Sequence, residues 1–230
     1  TPVGALGTDS IARSLDVLYG NVMQLRARGL NAAMYTGAYR VPAPTLTGDV
    51  ARDLVLVEPV IGVGEITISD HRSSAPSVGE LARLATDVAI GGTLSGKKGT
   101  VFVHVGGGGD GLEPLNAVLD STDLEPGVFM ATHCNRSREL IQQAAAFTRR
   151  GGHADLTVST TPELVAHGDI PALEALEALE TEGAVMERVT LSSDAGGSLP
   201  HYVNGELRGI TAARPAMAWR RQFIPVSAVQ

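Results

Sequence analysis

The stretch GVGEITISDHRS, Gly62–Ser73, decides how this chain is read. Its Val, Ile and Thr residues favour an extended backbone, so Val60–Ile68 is predicted to be a buried strand. Glu65 sits inside that run, where burial penalises a charge, and the run closes on Asp70-His71-Arg72. Outward from it, β-branched runs alternate with Ala/Leu-rich helical runs. Strands are predicted at Leu30–Tyr35, Thr100–Val105, Val128–His133, Ala154–Ser159 and Arg188–Ser193. Helices are predicted at Asp49–Val57, Val78–Ile90 (ending at Gly91-Gly92), Leu112–Ser121, Arg138–Arg150 (ending at Gly151-Gly152) and Ile170–Glu182. Strands separated by helices of this length predict a parallel sheet with helical crossovers. About six such units exceed a small doubly wound sheet and suit most of a TIM-type (β/α)8 barrel, which takes about 250 residues.

Composition narrows the function. The chain has 230 residues, 43% of them apolar, which fits one globular core. A net charge of -7 and the lack of any Lys/Arg cluster argue against nucleic acid as a partner. No apolar run approaches the roughly 20 residues of a membrane span. The single cysteine, Cys134, excludes an intrachain disulfide and gives no sign of an oxidising compartment, so a cytoplasmic protein is expected. The N-terminus lacks the layout of a signal peptide and an initiator Met, so Thr1 reads as a cut point. GGTLSGKK, Gly91–Lys98, nearly spells a phosphate-binding loop, but Lys98 stands where a Ser or Thr must hold magnesium, and the segment runs helix to strand. GGGGD, Gly106–Asp110, matches no dinucleotide fingerprint and reads as a flexible loop.

The informative polar residues stand at strand ends. His104 ends TVFVHV, His133 ends FMATH, Asp194 ends VTLSSD, and Glu65 lies on IGVGEITIS. In a parallel barrel all strand C-termini open on one face, so these four side chains could converge. Imidazoles and carboxylates are ligands for zinc and similar divalent ions, and a cation would neutralise a buried Glu65. Each residue also has a plainer reading: a hydrogen-bonded core histidine, an aspartate capping a helix, a glutamate paired with Arg72. Arg72 and Arg136 lie just beyond these strand ends, where their forks would suit a substrate with free carboxylates or simply face water.

LGTDS (Leu6–Ser10), TGAY (Thr36–Tyr39), ISDHRS (Ile68–Ser73), THCNR (Thr132–Arg136) and LSSDAGGS (Leu191–Ser198) together resemble the bacterial isoaspartyl dipeptidases of the amidohydrolase superfamily, over roughly Val3–Gly209. The resemblance implies an α/β, TIM-type barrel carrying two divalent metal ions, expected to be Zn2+, and a likeness to homo-oligomers. It implies that His104 and His133 bind the second metal, that Asp194 binds the first and serves as general base, and that Tyr39 polarises the scissile carbonyl. Thr8, Arg72, Arg136 and Ser198 then hold the charged and polar groups of a small dipeptide. The reaction implied is hydrolysis of a β-aspartyl bond by a hydroxide shared between the metals.

Three departures accompany the likeness. Glu65 stands where the family has a carbamylated, metal-bridging lysine; it offers the same charge and two oxygens with less reach. No His-x-His pair occurs anywhere, so the first barrel strand that should carry it is expected to be lacking. The text from Ile210, interrupted by Pro215 and Pro225, does not resemble the family, so residues 1–209 are expected to form the barrel core and 210–230 a divergent tail without the last helix. Two alternatives stay open: another amidohydrolase acting on a cyclic amide or N-acyl amino acid, and a non-catalytic truncated fragment of such an enzyme.

Overall fold

Seven parallel strands form a single curled sheet in strict sequence order: Val3–Gly4 (β1), Ala33–Thr36 (β2), Val60–Ile68 (β3), Val101–Val105 (β4), Phe129–Thr132 (β5), His153–Thr157 (β6) and Val189–Ser192 (β7). The structure is a computed structural model and describes residues 1–203 and 206–212. Each strand pairs in parallel with the next, and among the described residues none closes β7 onto β1. This is an incomplete (β/α) barrel. The crossovers are Leu15–Ala27 (α1), Val50–Leu56 (α2), Val78–Ser95 (α3), Glu113–Ser121 (α4), Arg138–Arg150 (α5), then Pro162–Ala166 (α6) with Ala172–Thr181 (α7). An antiparallel hairpin, Ser198–Val203 (β8) and Glu206–Ala212 (β9), follows the sheet. The expected divergent tail falls on residues 210–230, of which 213–230 lie outside the described residues.

The strand rhythm matches the sequence reading, with instructive differences. β1 and α1 precede the first element expected. α1 buries only Leu15 and Val22 and leaves Val17, Tyr19 and Met23 exposed, so its apolar pattern is blurred. α3 runs through Gly91-Gly92 to Ser95, where Gly96 stops it in the left-handed region at φ +68°. The glycine pair serves packing rather than termination: a Cβ on Gly91 would lie 2.9 Å from Ala51 Cα of α2. Lys97, part of the near phosphate-loop motif, reaches back to the carbonyls of Leu54, Val57 and Val60 at 2.6, 3.1 and 2.8 Å. It caps the C-terminal end of α2, where a cation is favoured.

Local signals fix the other helix ends. Ser77 and Glu80 form a reciprocal capping box at the start of α3, with Ser77 N–H donating to Glu80 Oε2 at 2.8 Å. Asp49 and Ser137 cap α2 and α5. Gly151 ends α5 at φ +109°. The strands bury Val60, Val63, Ile66, Val101, Val103, Phe129 and Leu156 against Leu81, Val88, Leu115, Ile141 and Phe147 of the helices in one continuous core. Each such side chain contributes about 1.5–3 kcal/mol through removal from water.

One irregularity in β3 shapes the site. Val63 pairs with Val101 while Ile66 pairs with Val103, so β3 carries an extra residue at Gly64-Glu65, whose peptide bond is cis. Bulges of this kind re-aim a side chain. Gly64 also lets β3 lie close to β4, because a Cβ there would sit 2.7 Å from the Phe102 carbonyl oxygen.

Candidate functional site

Glu65 leaves the β3 bulge, His104 lies near the end of β4, and His133 follows β5 directly. All three are buried. Glu65 Oε1 lies 3.1 Å from His133 Nε2 and 3.3 Å from His104 Nδ1. One ligand atom from each residue lies within 4.8 Å of the others, the arrangement of a metal site. The two imidazoles meet edge to face with centroids 4.5 Å apart. His133 holds its place with a left-handed backbone, φ +64°, and its Nδ1 lies 2.5 Å from Thr157 Oγ1 at the end of β6.

The electrostatics explain why a cation fits. Burial opposes the charge on Glu65, yet the hydrogen bonds to His104 and His133 outweigh it and hold the carboxyl below the usual carboxylate range. Burial, reinforced by His104, pushes His133 down to about 4 against the pull of Glu65, which leaves it neutral at pH 7. His133 Nε2 and Glu65 Oε1 lie 3.1 Å apart, sharing a proton. A cation that took the place of that proton would meet a carboxylate oxygen and an imidazole nitrogen, a donor set that zinc accepts.

The surrounding residues take up defined positions. Tyr39 Oη, beyond β2, lies 2.8 Å from His104 Nδ1. Burial first, then the charge of Glu65, push its phenol well above the usual range. The Arg72 guanidinium stands 5.5 Å from the Tyr39 ring centroid. Arg72 does not pair with Glu65; its fork holds Asp70, and Arg136 Nη1 lies 3.8 Å from the same Asp70 carboxylate. Asp194 stands beyond β7, half-buried, where burial and the charge of Glu65 push its carboxyl up to about 6. It feels the site but lies outside the three-residue cluster, its carboxylate folded against Gly197 of its own turn. Thr8 opens a 3-10 turn, Thr8–Ile11, next to Gly7; a Cβ on Gly7 would lie 3.2 Å from Glu65 Oε2. Ser198 begins β8, and its side chain lies outside the described ones.

No protein-family model matches the chain. Among solved structures, it superposes on the beta-aspartyl dipeptidase of the thermophilic, keratin-degrading Fervidobacterium islandicum AW-1 in complex with β-Asp-Leu dipeptide, with TM-score 0.84 and 42% identity over 95% of this chain. A second crystal structure of the beta-aspartyl dipeptidase from that organism matches with TM-score 0.77 and 44% identity over 84% of this chain. This chain resembles the beta-aspartyl dipeptidases. It spans about half the length of the two dipeptidase chains, covering 56% and 51% of them.

Within the part shared with the dipeptidases, the sequence reading missed four polar residues around the site. Asp70 links Arg72 to His104. Thr157 holds His133. Asp155 accepts from Thr132 and Thr190 at 2.7 Å and from Ser192 at 2.6 Å, tying β5, β6 and β7 together beneath the cluster. Burial pushes its carboxyl up despite those three donors. Asn135 spends its buried amide on the backbones of Thr157 and Ile170. The signal that flags Glu65, a charge inside a strand-like run, is present for Asp155 in HADLTV as well.

Proposed function

We propose that the chain is a metal-dependent hydrolase of β-aspartyl (isoaspartyl) dipeptides. The observation that carries this reading is the convergence of Glu65, His104 and His133 from three consecutive strands, with two arginines beside them. The likeness to a dipeptidase solved with β-Asp-Leu supports the substrate class. Glu65 would hold the metal in place of a carbamylated lysine, with His104 and His133 completing three donors on one ion. Glu65 and Asp194 would hold a second ion. Zinc suits these donors. When bound, such ions polarise a carbonyl and lower the pKa of water.

The chain's own residues supply the rest. Arg72 and Arg136 hold the carboxylates of the dipeptide and so orient the scissile bond. Tyr39, kept protonated by its buried setting, donates its hydroxyl to the carbonyl oxygen as charge develops there. Asp194 accepts a proton from the attacking water and returns it to the leaving amine. Thr8 and Ser198 line the substrate. We take residues 1–209 as the catalytic core, of a homo-oligomeric protein.

A second reading is a non-catalytic fragment, favoured by the absence of any His-x-His pair. Metal content and β-Asp-Leu hydrolysis of the purified chain decide between them. Bound zinc with turnover that Glu65→Ala abolishes supports the enzyme. Neither zinc nor turnover supports the fragment, and zinc with turnover unchanged in Glu65→Ala removes the proposed site.

A further inference from the structure

We propose that Asp70 is a positioning residue that locks the metal-ligand candidate His104 and the substrate-binding candidate Arg72 into one unit. The roles of those two residues rest on the function proposed above; the coupling through Asp70 rests on geometry. Asp70 lies on the loop after β3, yet its side chain is only 3% exposed. Its carboxylate accepts from Arg72 Nε at 2.9 Å, Arg72 Nη2 at 2.7 Å and the Arg72 backbone N–H at 2.8 Å. It also lies 3.2 Å from His104 Nε2 and 3.8 Å from Arg136 Nη1. A buried carboxylate is costly unless its oxygens are paired, and this one is paired on both.

Two consequences follow for the site. A guanidinium is planar, so gripping its Nε–Nη2 edge fixes the whole plane and leaves the Nη1 hydrogens for an incoming carboxylate. His104 Nε2 lies 3.2 Å from both Asp70 Oδ2 and Arg72 Nη2, but Arg72 Nη2 already donates to Asp70 at 2.7 Å, so Nε2–H donates to Asp70 and the lone pair stays on Nδ1, the atom that faces Tyr39 Oη and Glu65. The opposite tautomer would point an N–H into the cluster and block coordination there.

The neighbouring backbone is shaped around this residue. The Gly106–Gly109 loop after β4 lies on Ser69-Asp70: Gly106 N–H donates to Ile68 O at 3.0 Å and Gly108 N–H to Ser69 O at 2.7 Å. A Cβ on Gly106 would overlap the Ser69 carbonyl oxygen and Asp70 Cβ. Ser69, at φ +50°, is tied to Gly111 O by its hydroxyl at 2.8 Å. The glycine run that sequence reads as a flexible loop is therefore a close-fitting seat for Asp70.

The test uses the full chain, 15N-labelled and metal-free, with Asp70→Asn, which keeps shape and removes charge. Long-range 1H–15N spectra of the imidazole, assigned with His104→Asn, report the His104 tautomer. Zinc affinity is measured separately by competition with a chromogenic chelator. The wild type is expected to hold the Nε2–H tautomer, and Asp70→Asn to mix the two and to weaken zinc by roughly 10–100-fold. Gly106→Ala, which displaces Asp70 from outside, is expected to shift the tautomer in the same way and keeps the test open if Asp70→Asn does not fold. An unchanged tautomer in the folded variants overturns the proposal, whatever happens to zinc. A tautomer that shifts in a wild-type background that binds no zinc keeps Asp70 as the positioning residue and removes the metal reading instead.

Discussion

Single residues here are governed by how burial and partners compete. Glu65 keeps its charge because two imidazoles compensate its desolvation, and Asp194 ionises less easily because burial, reinforced by the charge of Glu65, outweighs the opposing pull of His104 and Arg136. Tyr35 shows the same physics away from the site. It stacks on Phe102 at 4.9 Å, and burial, helped by Asp155, pushes its phenol up to about 12 from 10.0. The folded state therefore holds this proton more tightly than the unfolded chain. Stability is expected to fall as pH rises from about 10 to about 12, and Tyr35→Phe is expected to flatten that part of the curve. Urea melts at stepped alkaline pH measure both slopes; parallel slopes would contradict the assignment. Glu65 was legible in the sequence because a charge in a strand-like run stands out. Asp70 was not, because an aspartate beside an arginine in a loop looks like solvent-facing chemistry until the fold buries it.

At the scale of elements, glycines and shared carboxylates decide how pieces meet. Gly91 on α3 lies against Ala51 and Leu54 of α2, whereas a Cβ on Gly20 of α1 would meet nothing within 4 Å. Gly91→Ala is expected to destabilise by about 1–3 kcal/mol through overpacking, although alanine is the better helix former. Gly20→Ala is expected to stabilise by roughly 0.5–1 kcal/mol from helix propensity alone. Thermal or urea melts of the pair test the contrast, and equal signs would refute it. Asp155 binds hydroxyls from Thr132, Thr190 and Ser192 on the strands either side of its own. Asp155→Ala leaves these donors without their acceptor and is expected to cost about 1–3 kcal/mol, read as a lower urea midpoint. The element pattern itself was legible because β-branched runs and capped helices announce themselves. The end of α3 was misjudged because Gly91-Gly92 is the same signal whether it stops a helix or lets another helix approach.

At the scale of the whole molecule, the described residues form an open, seven-stranded barrel with its candidate site at the strand C-termini, where every parallel strand delivers its last residues to one face. No helix among the described residues is long and apolar enough to cross a membrane. Three of the donors come from β3, β4 and β5 and their ends, so a bound ion staples neighbouring strands across an unclosed sheet. Zinc is expected to raise the melting temperature, with stabilisation of about 2.7 kcal/mol at a hundredfold excess over the dissociation constant. EDTA should reverse the shift, and Glu65→Ala should abolish it. A melting temperature insensitive to zinc would show that this cluster binds none.

The sequence by itself determined the alternation of strand and helix, and with it the parallel barrel, because hydrophobic period and caps are local properties. It also identified Glu65, His104 and His133, since polar residues at the ends of buried runs are visible without a fold. Only the tertiary structure decided that these three meet in one cluster, and that Asp70 rather than Glu65 holds Arg72. Those outcomes depend on a bulge in β3, a left-handed turn at His133 and the seat made by the Gly106–Gly109 loop, and such few-ångström displacements are set by strand packing rather than by any pattern along the chain.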